Sequence, residues 1–298
     1  MKASIIIITK NQKKYLEKTI PVLLNQNITD YEMIVVDSGS RDGALEYVRS
    51  FMVDANPVSS LAPTPRRGGV VTPSGTGTSA SPTKSRTMKL LEIEEENFNY
   101  SRAFNIAVAK AKGDILIRLS GDAIPKKKDF VAEMIKPFTD DKVGGVYGKY
   151  VLSGKKGYGY PDFWFKERFP NHTVRHSFQP LPWSGINIFG LSLDSKKYGD
   201  IFTFAGACCA IRRNVWEKRH FNESLLGGED AEYSWFLHVV GYDVVYVPKA
   251  EVLHEHKITK RDIPFLNIWQ WKFNWQIMKY WLLRLLNKDP YKDIRIRS

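Results

Sequence analysis

Three polar side chains in this chain stand where apolar runs stop. Thr9 follows Ser4-Ile5-Ile6-Ile7-Ile8, Asp37 follows Met33-Ile34-Val35-Val36, and Asp122 comes just after Ile115-Leu116-Ile117-Arg118-Leu119. In an open α/β sheet the ligand crevice lies outside the carboxyl ends of the strands, so the three should converge on one site. Asp37 can accept hydrogen bonds from a base or a ribose there, although an Asp or Ser in Asp37-Ser38-Gly39-Ser40-Arg41-Asp42-Gly43 can equally cap the following helix. Thr9-Lys10-Asn11-Gln12 lacks the glycine-rich turn that lets a dinucleotide pyrophosphate approach the backbone. Hydride transfer of the Rossmann type is therefore disfavoured.

The elements that must position these residues alternate between β and α patterns. Ser4–Ile8 is a β-branched run suited to a strand buried on both faces. A helix is expected over roughly 13–25, a strand over 31–36, a helix over 42–51 and a short strand over 89–93. Next come a helix over 101–112 stopped by Gly113, and the strand 115–119. Pro125 is expected to open a helix reaching about Phe138. This order implies an α/β fold with a mainly parallel, doubly wound sheet and helices on both faces. Further on, 143–152 and 202–212 read as strands, 229–240 as a helix stopped by Gly241, and 242–247 as a strand. A short strand over 251–253 delivers His254 and His256. The stretch 153–200, rich in Gly, Pro and aromatic residues, reads as a variable region on the acceptor side of the site. Residues 54–87 are dominated by Pro, Gly, Ser and Thr and contain no aromatic residue, the composition of a flexible insertion far from the chemistry.

Composition narrows the class. The 298 residues are 43% hydrophobic, enough for a large core, and carry a net charge of +12. That charge favours anionic partners, among them nucleic acid, nucleotide phosphates and the inner face of a membrane, without choosing between them. Cys208 and Cys209 are adjacent in an apolar stretch and offer neither a disulfide framework nor metal-ligand spacing, which suits a reducing cytoplasm. The amino terminus enters a strand almost at once, so a secretory leader is not expected.

The ordered motifs Val35-Val36-Asp37-Ser38-Gly39-Ser40-Arg41-Asp42-Gly43, Gly113-Asp114 leading to Ser120-Gly121-Asp122-Ala123, and Gly227-Gly228-Glu229-Asp230 resemble those of family 2 inverting glycosyltransferases with the GT-A fold. Phe98-Asn99-Tyr100-Ser101-Arg102-Ala103-Phe104-Asn105, Leu119–Pro125 and Val146-Tyr147-Gly148 look most like the rhamnosyltransferase branch. The resemblance implies a catalytic domain over 1–257 followed by a helical segment over 258–298. It further implies that Thr9, Asn11 and Asp37 hold the nucleoside, with Arg102 and Asn105 nearby. Asp122 matches the last acidic position of the Asp-x-Asp metal motif, whose first position here is Ser120, and would bind Mg²⁺ or Mn²⁺ on the diphosphate. His254 matches the histidine that supplies a second ligand, against the plain alternative of a structural histidine. Asp230 matches the base that deprotonates the acceptor hydroxyl, with Glu229 positioning the acceptor. Acidic residues also favour helix N-termini for electrostatic reasons alone.

In the last segment Trp271, Trp275, Met278, Leu282 and Leu285 recur at helical spacing, with Lys272, Gln276 and Lys279 on another face. Such a helix suits either a membrane interface or packing against protein, and its charges argue against a spanning segment. The expected activity is metal-dependent inverting transfer of a sugar, with rhamnose the sugar suggested. The donor would be a nucleoside diphosphate sugar, and the acceptor a hydroxyl of a glycan or lipid-linked acceptor in surface polysaccharide synthesis. The expected location is the cytoplasm or its membrane face, with no specific nucleic-acid partner and the oligomeric state open. A non-catalytic module of the same fold that binds polyanions or a membrane surface is the rival. A nucleotidyltransferase is disfavoured because no run rich in glycine and basic residues follows the first strand.

Overall fold

The computed structural model of the chain describes residues 2–53, 87–152, 169–177, 187–188, 191–192, 204–254 and 263–296. The first half runs β1 (Ala3–Thr9), α1 (Lys13–Leu24), β2 (Tyr31–Asp37), α2 (Ala44–Val53), β3 (Met88–Glu92), α3 (Tyr100–Lys110) and β4 (Ile115–Ser120). The second half runs β5 (Ala123–Pro125), α4 (Phe130–Ile135), β6 (Val143–Leu152), β7 (Val174–His176), β8 (Asn187–Ile188), β9 (Leu191–Ser192), β10 (Cys208–Arg212), α5 (Arg213–Lys218), α6 (Glu229–Val239), β11 (Asp243–His254) and α7 (Ile263–Leu285). The insertion read over 54–87 and most of the region 153–200 lie outside the described residues, as does His256.

One mixed sheet carries the molecule, in the order β3-β2-β1-β4-β10-β6-β11-β5, with β7 also paired to β11. The β3-β2-β1-β4 half is parallel. β10 enters antiparallel between β4 and β6, and β11 returns parallel to β6. The isoleucine run of β1 explains itself in the two cores. Ile6 and Ile8 pack with Phe104, Val108, Trp216 and Phe236 on one face. Ile5 and Ile7 pack with Leu16, Ile20, Val48 and Phe130 on the other. A strand buried on both faces has no solvent side on which to alternate, and each isoleucine removed from water contributes on the order of 1.5–3 kcal/mol.

Several sequence expectations are corrected. Pro125 ends β5 instead of opening a helix: it lies opposite Val252 on the outermost strand, a place where a missing N–H breaks no ladder, and α4 begins at Phe130. Gly113 is no helix stop, since α3 ends at Lys110 and its cap is Ala111. A Cβ on Gly113 would lie 2.5 Å from the backbone of Ala3 and Ser4, so the residue is small because β1 passes against it. Among the described residues of the strand read over 202–212, only Cys208–Arg212 are extended in the sheet, and the two strands read over 242–253 are one, Asp243–His254, broken by a bulge between Val247 and Glu251. Gly241 does follow the end of α6, in the left-handed conformation (φ 92°) expected of a helix stop.

Candidate active site

At the carboxyl edge of the sheet Thr9 and Asp37 are paired neighbours, the last residues of β1 and β2. Asp37 is buried; its Oδ1 accepts the Ser40 N–H at 2.8 Å, while its Oδ2, equally enclosed, accepts nothing from the described residues. A buried carboxylate oxygen without a donor is costly unless a ligand supplies one. The loops on either side are locked together. Asn11, in the left-handed region at φ 52°, donates its N–H to Ser40 Oγ (2.7 Å) and accepts the Arg41 N–H on Oδ1 (2.8 Å). Asp42 bonds the Ala44 N–H (3.1 Å) and the Lys13 N–H (2.8 Å), so it is Asp42 that caps the starts of both helices here. Thr9 Oγ1 donates to Gln12 Oε1 at 3.2 Å. Gly121 sits against both: a Cβ there would lie 2.6 Å from Thr9 Oγ1.

Asp122 and His254 are far apart in the sequence and meet because β5 pairs antiparallel with β11, His254 facing Ala123. His254 Nε2 lies 3.2 Å from Asp122 Oδ1, and Ser120 Oγ donates to the same oxygen at 2.5 Å. Burial pushes the Asp122 carboxyl up, but the hydrogen bonds from His254 and Ser120 outweigh it and hold it below the ordinary carboxylate range. An ionised carboxylate beside an imidazole is a fitting half-shell for Mg²⁺ or Mn²⁺, which commonly take one or two protein ligands and complete the shell with substrate phosphates. Among the described residues no cluster of three or more acidic, His or Cys side chains would hold a metal without such help.

Glu229 and Asp230 begin α6 behind Gly228, which is left-handed at φ 70°. They face different partners. Glu229 is buried and its Oε1 accepts from Arg118 Nη2 at 2.6 Å, in an ion pair whose members are both about as enclosed as the core. Asp230 accepts the Gly206 N–H on Oδ2 (2.7 Å) and the Ala231 N–H on Oδ1 (2.8 Å). Burial and then the charge of Glu229 raise the Asp230 carboxyl above its usual range, against the opposing pull of Arg118 and the two N–H groups. A carboxylate made more basic in this way is better suited to take a hydroxyl proton. Tyr100 stands against Arg118: its ring receives the guanidinium at 5.5 Å, and its phenol is raised by burial of its hydroxyl end and by the charges of Glu229 and Asp122, against Arg118.

The helix after the third strand also carries a structural network. Asn105 Oδ1 accepts from Trp216 Nε1 (2.9 Å) and the Phe221 N–H (3.2 Å), and its Nδ2 donates to Phe221 O (2.9 Å) and Glu223 Oε1 (3.0 Å). Those bonds occupy both amide donors and both lone pairs of the carbonyl oxygen in this structure. Together with Asn99, whose Nδ2 donates to the carbonyls of Glu223 and Leu225, Asn105 fastens the loop that ends in Gly227-Gly228-Glu229-Asp230. Arg102 stands exposed in the first turn of α3.

Sequence reasoning missed three contributors. Arg118 was visible as a charge inside an apolar strand, which demands a partner. Tyr150, near the end of β6, was reachable by the carboxyl-edge rule already applied to Thr9 and Asp37. Its hydroxyl accepts the Ala207 N–H at 2.7 Å and its ring lies 5.1 Å from that of His254. Gly206 was hidden, because only the antiparallel entry of β10 brings the preceding segment to this edge, where Ala207 O accepts the Ser120 N–H. A Cβ on Gly206 would lie 2.7 Å from Asp230 Oδ2.

This chain matches the model for "Glycosyl transferase family 2" over residues 4–70 and 90–219. It is 24% identical over 265 residues to the O-antigen chain rhamnosyltransferase RfbN of Salmonella typhimurium, covering 88% of this chain and 69% of that protein. It is likewise 24% identical over 227 residues to the O-antigen chain rhamnosyltransferase WbaN of Salmonella anatum, covering 73% and 63%. Among solved structures it resembles a mannosyltransferase from Pyrobaculum calidifontis in complex with GDP-Man and Mn²⁺, with a TM-score of 0.55, 19% identity and coverage of 87% of this chain and 58% of that one. It also resembles S. aureus TarS 1-349 in complex with UDP, with a TM-score of 0.56, 18% identity and coverage of 88% and 62%. The fold is that of the GT-A glycosyltransferases, and the chain belongs to glycosyl transferase family 2.

Proposed function

We propose that this glycosyltransferase moves a sugar with inversion from a nucleoside diphosphate sugar to a hydroxyl of a glycan or lipid-linked acceptor in surface polysaccharide synthesis, with rhamnose as the sugar. The observation that carries the reading is the meeting of Asp122 and His254 at the carboxyl edge that also holds Thr9, Asp37 and Asp230. The O-antigen relatives support the choice of rhamnose and of a polysaccharide acceptor.

In this reading Asp37 Oδ2 accepts hydrogen bonds from the nucleoside, with Thr9 and Asn11 shaping the floor beside it. Asp122 and His254 would hold Mg²⁺ or Mn²⁺, which when bound would offset negative charge on the leaving diphosphate. Asp230 takes the acceptor's proton as its oxygen bonds to the anomeric carbon and the bond from that carbon to the diphosphate breaks. The Gly206 and Ala231 N–H groups fix the Asp230 carboxylate, and Glu229 sets its charge environment while itself tied to Arg118. Proton NMR of the glycoside made from dTDP-rhamnose tests the proposal. A product whose anomeric configuration is opposite to the donor's supports it; a retained configuration rules out the single-base mechanism.

A further inference from the structure

Helix α7 is held to the body by one face. Ile277, Tyr280 and Trp281 are buried, Tyr280 packs edge-on to Trp235 at 5.2 Å, and its hydroxyl accepts from Arg295 at 2.6 Å. The stripe read from the sequence is a different face, and it is left in water: Trp271 is 74% exposed, Trp275 58%, Leu282 58% and Leu285 78%. With Met278 and Leu286 these make six of the eight large apolar side chains exposed among the described residues. An apolar concentration of that kind, which folding does not bury, marks a contact surface.

We propose that this stripe docks on an anionic lipid surface and sets the Gly227–Asp230 loop at the membrane. The helix carries Lys272, Lys279 and Arg284 and no acidic residue. Lys272 and Lys279 follow Trp271 and Met278 directly, about 100° round the helix, so they line one edge of the stripe. Tryptophan with a basic border is the composition of a helix lying in the plane of a lipid interface. No described helix is long and apolar enough to cross a membrane. A second copy of the chain is the poorer occupant, because a two-fold contact through this stripe sets the same basic edge near itself. The basic edge also reaches the site: Lys272 Nζ donates to Ser224 O at 3.2 Å, in the loop where Leu226, 58% exposed, precedes Gly227. The placing of a lipid-linked acceptor before Asp230 rests on the transferase reading; the docking itself does not.

Co-sedimentation of the full chain with vesicles tests it, comparing phosphatidylcholine mixed with phosphatidylglycerol against phosphatidylcholine alone. The wild type is expected on the mixed vesicles only. Lys272→Gln with Lys279→Gln should weaken binding by about thirtyfold, from roughly 1 kcal/mol for each cation near an anionic surface. Trp271→Ser with Trp275→Ser should remove binding while leaving the melting curve and donor hydrolysis in solution unchanged. Absent or charge-independent vesicle binding overturns the proposal. So does a lipid-free dimer, seen by sedimentation velocity, that the tryptophan variant abolishes. If no form hydrolyses any donor, the transferase reading fails while the vesicle result stands.

Discussion

The Arg118–Glu229 pair is the strongest structural commitment at the site, and it can be broken cleanly. Both side chains are almost fully enclosed and the contact is 2.6 Å. Replacing Arg118 with Met leaves Glu229 as a buried charge without its cation, which costs about 3–5 kcal/mol, a large share of the roughly 5–15 kcal/mol by which domains are stable. Glu229→Gln should cost a similar amount for the converse reason. The double variant removes both members of the pair and leaves only Asp230 without the Arg118 charge, so it should be more stable than the two single losses added together, by about 2 kcal/mol or more. Urea unfolding with unchanged slopes measures each corner of the cycle. A loss below about 1 kcal/mol for Arg118→Met, or no coupling in the double variant, would show that water reaches the pair and that it does not organise the start of α6.

Three further outcomes follow from the same geometry. Asp37→Asn keeps the acceptor used by the Ser40 N–H but removes the buried negative charge, so donor affinity should fall about tenfold to a hundredfold by calorimetry, with little change in melting temperature. Gly206→Ala pushes a methyl group against Asp230 Oδ2 and should lower kcat about a hundredfold while leaving donor KM near wild type; a normal kcat would mean Asp230 is not held where the reaction needs it. As the proposed base, Asp230 would have to be ionised, and its carboxyl is raised by burial and Glu229, so activity should fall as pH drops through that raised value. Glu229→Gln removes a raising charge and should move the acid limb of the kcat profile to lower pH; a shift to higher pH refutes Asp230 as the titrating base.

The parallel half of the fold was legible because its strands are buried on both faces and advertise themselves as unbroken β-branched runs, as in Ile5–Ile8 and Ile34–Val36. The three strand-end residues followed from that pattern alone. The second half was harder for a physical reason. β10 runs against its neighbours, so the loop before it and not the one after it reaches the site, and nothing in Phe204–Ala207 announces a direction. Pro125 and Gly113 were misread because each carries a local rule, helix start and helix stop, that sheet pairing and close packing against β1 override. The partners of Asn105 could not be read from its motif, because Trp216, Phe221 and Glu223 lie far along the chain and only the fold brings them to its amide. For α7, helical spacing found the apolar stripe but could not say which face the protein would cover, since the buried Ile277–Tyr280–Trp281 face is as apolar as the exposed one.

The central claim is that Asp122 and Asp230 serve one transfer reaction, the first at the diphosphate and the second at the acceptor hydroxyl. It is tested most directly by nucleoside diphosphate release from a panel of sugar nucleotides with Mg²⁺ or Mn²⁺, for the wild type, Asp122→Ala and Asp230→Asn. The account predicts release from one donor, lost on chelation and in Asp122→Ala. It also predicts that Asp230→Asn still binds that donor in calorimetry but turns it over far more slowly. Release that survives both substitutions, or no metal-dependent binding of any donor, would contradict it.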